Sequence, residues 1–151
     1  LLSNLLPSET VAVLAHELGH FKLHHVRIGL VLQTVMTGVI CFFIDVVSRE
    51  PALFAAFGLP MSVYAVLPVF MLWSQLFEFF ISPALSAISR RHEFAADAFA
   101  SQYASASALV KGLLRLREVS HALPLAHPLY SAMYYSHPPL LDRIAVLKER
   151  E

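Results

Sequence analysis

The chain has 151 residues, of which 57% are hydrophobic and 15% charged, with 11 Lys and Arg against 11 Asp and Glu. So little charge cannot cover the surface of a water-soluble domain of this size. A net charge of zero supplies neither a basic field for nucleic acid nor an acidic tail, so no nucleic-acid partner is expected. The single cysteine, Cys41, excludes an internal disulfide framework and a Cys-rich zinc module; inside its apolar run it reads as a buried, inert thiol.

The length suggests one unit, residues 1–151. Its first residues look like mid-protein sequence and carry no signal-peptide pattern, so the chain reads as the C-terminal portion of a longer protein.

In chain order, Pro7-Ser8-Glu9-Thr10 is a helix start, with a capping hydroxyl and an acid in the first turn. Val11, Leu14, Ala15, Leu18 and Phe21 follow at helical spacing, and the pattern predicts an unbroken helix to Arg27. Residues 28–44 carry no charge, and a bilayer core of about 30 Å needs about 20 apolar residues. A first transmembrane helix is expected over 28–48.

The polar patch Ser48-Arg49-Glu50-Pro51 ends it. After a turn at Gly58-Leu59-Pro60, a second transmembrane helix is expected over 62–82, with Pro68 as a tolerated kink. Glu78 near its end either reaches the interface or faces the protein interior. The alternative is a pair of buried helices in a large soluble protein, but 151 residues supply too little protein to bury both.

Two spans return the chain to the side it left. Lys22 and Arg27 precede the first and Arg90 and Arg91 follow the second, whereas Arg49 stands beside Glu50 in the opposite loop. This bias places both flanks in the cytoplasm.

Ala84 to Tyr103 reads as a further helix. Ser105 or Ser107 caps the next, Ala108 to His121, whose Leu109, Leu113, Leu116 and Val119 form a core stripe. A loop rich in Pro and His runs from Ala122 to Pro139, and a last helix from Leu140 to Arg150. The predicted fold is all-α.

His16-Glu17-Leu18-Gly19-His20 is an H-E-x-x-H motif on a predicted helix. Residues four apart share a face, so both imidazoles can reach one metal ion, with Glu17 beside them as a general base. Catalytic zinc usually takes three protein ligands and keeps one position open. Leu23 and Val26 stand where H-E-x-x-H-x-x-G-x-x-H would need Gly and His, which excludes that class. His24 and His25 fall on what reads as the solvated continuation of the helix, so an acid from another helix is the better third donor. Glu93 and Asp97, four apart among Phe94, Ala95, Ala96, Ala98 and Phe99, supply one to bind metal and one to orient a ligand.

HELGH, SRRHEFAADAFA and YSHPPLLDRI, in that order around two apolar spans, resemble the Ste24-type CAAX prenyl proteases of the M48 zinc metallopeptidases, over nearly all of the chain. The last two motifs are far more specific than the first. The resemblance implies an integral membrane protein of gluzincin type, in which two transmembrane helices join the H-E-x-x-H helix to a Glu-x-x-x-Asp helix. It implies one Zn2+ per chain held by His16, His20 and Glu93, Glu17 as general base, and Asp97 as a partner of His16. It also implies His137 and Arg143 at the site, holding the substrate or its oxyanion. Family members carry further spans upstream that enclose an intramembrane chamber.

The expected partners are the lipid bilayer and a peptide or protein substrate, prenylated or otherwise membrane-associated. The expected location is the endoplasmic reticulum or bacterial inner membrane, with the motifs on the cytoplasmic side. Two other functions fit the same residues: an HtpX-like membrane quality-control protease, and a membrane scaffold whose zinc is structural or absent.

Overall fold

The computed structural model describes residues 5–120 and 127–149. All regular structure among these residues is helical: α1 (Pro7–Lys22), α2 (His25–Ser48), α3 (Pro51–Ala56), α4 (Val63–Tyr103), α5 (Ala106–Ser120), α6 (Pro128–Tyr134) and α7 (Leu140–Lys148). The predicted helix end at His121, the loop over 122–126 and Arg150 lie outside the described residues. The chain forms two compact units, one of the described residues up to Val26 together with those from Pro83 on, the other Arg27–Ser82.

In the first unit, Pro7 opens α1, where its missing N–H is no loss. The expected hydroxyl cap is absent. Instead the backbone N–H of Leu6 donates to Glu9 Oε2 at 2.9 Å. Glu9 is buried, and Arg115 Nε on α5 lies 3.1 Å from the same oxygen, tying the start of α1 to α5.

Ala12, Ala15, Ala100, Ala106, Leu109 and Leu147 form the core of this unit, with Val13 and Leu113 packed against it. Burying Leu109 and Leu147 contributes about 2 kcal/mol each. Small residues predominate, and they let helices approach closely. A Cβ on Gly19 would lie 3.2 Å from the Cα and carbonyl oxygen of Ala96 and from a ring carbon of Phe99, so only glycine fits there undisturbed. The side chain of Val119, the last residue of the expected stripe, lies outside the described ones.

Four expectations are corrected in the chain's geometry. The helix predicted to run to Arg27 stops at Lys22, because His24 adopts φ 60° and the chain turns before α2 begins at His25. A side chain in this left-handed region costs about 1–2 kcal/mol, a conflict that spacing could not reveal. The second span and the Ala84–Tyr103 helix are one helix of 41 residues, which passes Pro83 without a break. Two short helices, α3 and α6, occupy stretches read as turn or loop; each begins with a proline, as Pro51 and Pro128 are pre-set for a first turn. Finally, Cys41 is exposed rather than buried.

In the second unit, Val47, Phe54, Ala65 and Val69 pack together where α2, α3 and the start of α4 meet. The rings of Phe43 and Phe77 lie 4.8 Å apart, so α2 and this part of α4 run antiparallel. Both helices are long and apolar enough to cross a membrane. Val31, Phe42, Leu67, Met71, Trp73 and Phe80 are exposed on them. Such an apolar surface suits lipid, where a helix satisfies its own backbone. Glu78 is exposed as well.

Candidate metal centre

His16 and His20 share one face of α1, and Glu93 and Asp97 share one face of α4. The close approach of Gly19 to Ala96 brings the two faces together. There His16 Nε2 lies 3.2 Å from His20 Nε2 and 3.7 Å from Glu93 Oε2, and His20 Nε2 lies 3.4 Å from Glu93 Oε1. His16 and Glu93 are buried and His20 is half-buried.

These separations fit a metal. Ligand bonds of about 2.0–2.2 Å in a tetrahedral set place neighbouring donor atoms about 3.3–3.5 Å apart. The donor chemistry fits too: two imidazoles and a carboxylate are a borderline-cation set, and facing lone pairs repel unless a cation lies between them.

The outer edges of the two imidazoles are held differently. His16 Nδ1 lies 2.9 Å from Asp97 Oδ1, short but bent away from an ideal hydrogen-bond line. Burial works against charge on Asp97, but the contacts from His16 and Arg143 overcome it and hold the carboxyl below its ordinary range. His20 Nδ1 lies 3.1 Å from Nδ1 of His25. Burial, then the neighbouring His16, lowers the pKa of His20 against the opposing pull of Glu93 and Glu17. The neutral form favoured in this way is the one that can act as a metal ligand.

The segment after α6 completes the surroundings. His137 Nδ1 lies 3.2 Å from Glu93 Oε1, with most of its side chain exposed. Arg143, in the first turn of α7, is buried: its Nε donates to Asp97 Oδ2 at 2.8 Å and its Nη2 to Asp97 Oδ1 at 2.6 Å. Its Nη1 lies 3.2 Å from Glu93 Oε2. Glu17 is exposed on α1, close enough to act electrostatically on His20.

Thus the structure gathers His16, His20, Glu93, Asp97, His137 and Arg143 by direct contact, and sets Glu17 at the edge. Three further residues belong to the site. Gly19 permits the helix contact. Arg90 donates through Nη1 to the carbonyls of Tyr135 at 2.7 Å and Ser131 at 3.3 Å, fixing the end of α6 just before His137. His25 is buried against His20 instead of lying on a solvated helix. Arg90 had been legible only as a flanking charge. A left-handed residue at His24 has no sequence signature, so His25 could not be placed.

An all-α chain with two membrane-type helices and a buried His/His/Glu cluster defines an integral membrane protein built around a metal-binding centre. The sequence model of peptidase family M48 matches residues 1–151. The human CAAX prenyl protease 1 homolog is 38% identical over 148 residues, covering 93% of this chain and 30% of that protein. The Arabidopsis thaliana CAAX prenyl protease 1 homolog is 34% identical over 140 residues, covering 92% and 33%. The crystal structure of S. mikatae Ste24p superposes with a TM-score of 0.81 at 27% identity, covering 96% of this chain and 36% of that one. The chain therefore belongs to peptidase family M48, whose members are metallopeptidases. It spans about a third of the length of these relatives.

Proposed function

We propose that residues 1–151 carry the catalytic centre of a zinc-dependent membrane endopeptidase. Its substrates are prenylated CAAX proteins or other membrane-associated proteins, cut near the C terminus. The observation that carries this reading is the mutual spacing of His16, His20 and Glu93, 3.2–3.7 Å between facing donor atoms. The prenyl substrate is supported by the names of the relatives, all CAAX prenyl proteases. The cytoplasmic side of the endoplasmic reticulum or bacterial inner membrane is supported by Lys22, Arg27, Arg90 and Arg91 flanking the spans.

When bound by His16, His20 and Glu93, zinc supplies Lewis acidity toward a carbonyl and lowers the pKa of water toward neutrality. Glu17, exposed and beside the cluster, accepts the proton of the attacking water and hands it to the leaving amine. Asp97 holds the Nδ1 edge of His16, so that Nε2 faces inward. His137 is the exposed donor next to Glu93, and a hydrogen bond from it to the oxyanion is worth about 3 kcal/mol. Arg143, buried with its nitrogens on Asp97 and Glu93, acts by positioning these carboxylates rather than by touching substrate.

The test is Glu17→Gln in the full chain, assayed on a farnesylated CAAX peptide. Zinc content should stay at the wild-type level while turnover falls by about 10²–10⁴-fold. Retained turnover would remove Glu17 from its role as base.

A further inference from the structure

His25 takes no part in the reaction just described, yet it is buried at the edge of the cluster. Its Nδ1 lies 3.1 Å from Nδ1 of His20, the ring nitrogen on the opposite edge from the Nε2 that faces His16 and Glu93. A side chain at that outer edge cannot share an ion with the inner one, so His25 is not a fourth ligand. The His25 ring is stacked on His92, with centroids 4.1 Å apart and planes 9° from parallel. His92 directly precedes Glu93 on α4, so one stretch of helix carries both a candidate ligand and the platform on which His25 lies.

The backbone is shaped to bring this about. In a continuous helix, a residue five positions on lies about 140° around the axis, so His25 would point away from His20. Instead α1 ends at Lys22, His24 takes φ 60°, and α2 starts at His25, which turns the ring back toward His20. Non-glycine residues in this region are uncommon and cluster where the surroundings demand them.

We propose that His25 is a positioning residue for His20. It accepts the Nδ1 proton of His20 and carries its own proton on Nε2, which fixes His20 as the tautomer whose Nε2 lone pair is free to bind metal. The two histidines of the motif would then be oriented by unlike partners. His16 has a carboxylate, which raises its basicity, whereas His20 has a neutral imidazole, which fixes the tautomer without adding charge. This inference rests on the reading of His16, His20 and Glu93 as the metal ligands.

The experiment measures metal binding, not turnover. The full chain, purified in detergent, is titrated with zinc against a chromophoric chelator, and the visible spectrum of its cobalt form is recorded. His25→Leu removes the acceptor, and its zinc affinity should fall about 10–100-fold, with a displaced cobalt spectrum. Asn places its amide oxygen close to where imidazole Nδ1 stood, whereas Gln reaches past it. His25→Asn should therefore stay within about threefold of wild type and His25→Gln should resemble His25→Leu. If His25→Leu loses helical content, the Asn and Gln variants, alike in polarity and charge, decide the matter between them.

Equal affinities for the Asn and Gln variants, or wild-type affinity and spectrum in His25→Leu, would overturn the proposal while leaving the metal centre standing. A wild-type protein that takes up no zinc would overturn the metal-centre reading and this proposal together.

Discussion

Arg143 grips Asp97 with two parallel contacts, Nε to Oδ2 at 2.8 Å and Nη2 to Oδ1 at 2.6 Å, and both side chains are buried. The remaining Nη1 faces Glu93 at 3.2 Å. One guanidinium thus links the carboxylate behind His16 to the carboxylate beside His20. The planar fork matters here, because an ammonium cannot serve both oxygens of one carboxylate and reach a second.

Removing Arg143 leaves two buried carboxylates without their cation, which typically costs about 3–5 kcal/mol. Arg143→Ala should unfold at a markedly lower temperature in detergent, and Arg143→Lys should lose part of the same stability. A melting temperature within about a degree of wild type in Arg143→Ala would show that the clamp contributes little.

Glu93 is the donor that α4 brings to the two histidines of α1. Glu93→Ala should lose zinc by elemental analysis of the purified full chain, whereas His24→Ala should keep it, since His24 is exposed on the turn. Unchanged metal in Glu93→Ala would transfer the third ligand to another side chain.

Gly19 stands where a methyl group would press on the backbone of Ala96. Backbone cannot move aside as a flexible side chain can, so Gly19→Ala should destabilise the protein by about 1–3 kcal/mol. Because the same contact brings His20 to Glu93, zinc affinity should fall with stability. A stable variant with wild-type metal affinity would show that α1 and α4 tolerate a wider spacing.

The turn at His24 predicts opposite effects for two substitutions. Glycine adopts φ 60° without a clash, though its looser unfolded chain offsets part of the gain, so His24→Gly should be neutral or more stable by up to about 1 kcal/mol. His24→Val puts a β-branched side chain into that region and should destabilise by about 1–3 kcal/mol. Thermal unfolding of the pair checks this, and equal melting temperatures would count against a strained turn.

The sequence by itself determined what depends on periodicity and composition. Uncharged runs of span length marked α2 and the first part of α4, and four-residue spacing put His16 with His20 and Glu93 with Asp97 on single helix faces. The specific wording of the second and third motifs supplied His137 and Arg143, which spacing alone leaves as a loop histidine and a surface arginine. Tertiary structure decided the rest. That Pro83 passes without a break, that Gly19 seats against Ala96, and that Arg143 is buried between two acids all depend on helices distant in sequence. His25 shows the reason most plainly. A single left-handed residue at position 24 redirects the chain, and its strain is tolerated because of what the turn brings into contact.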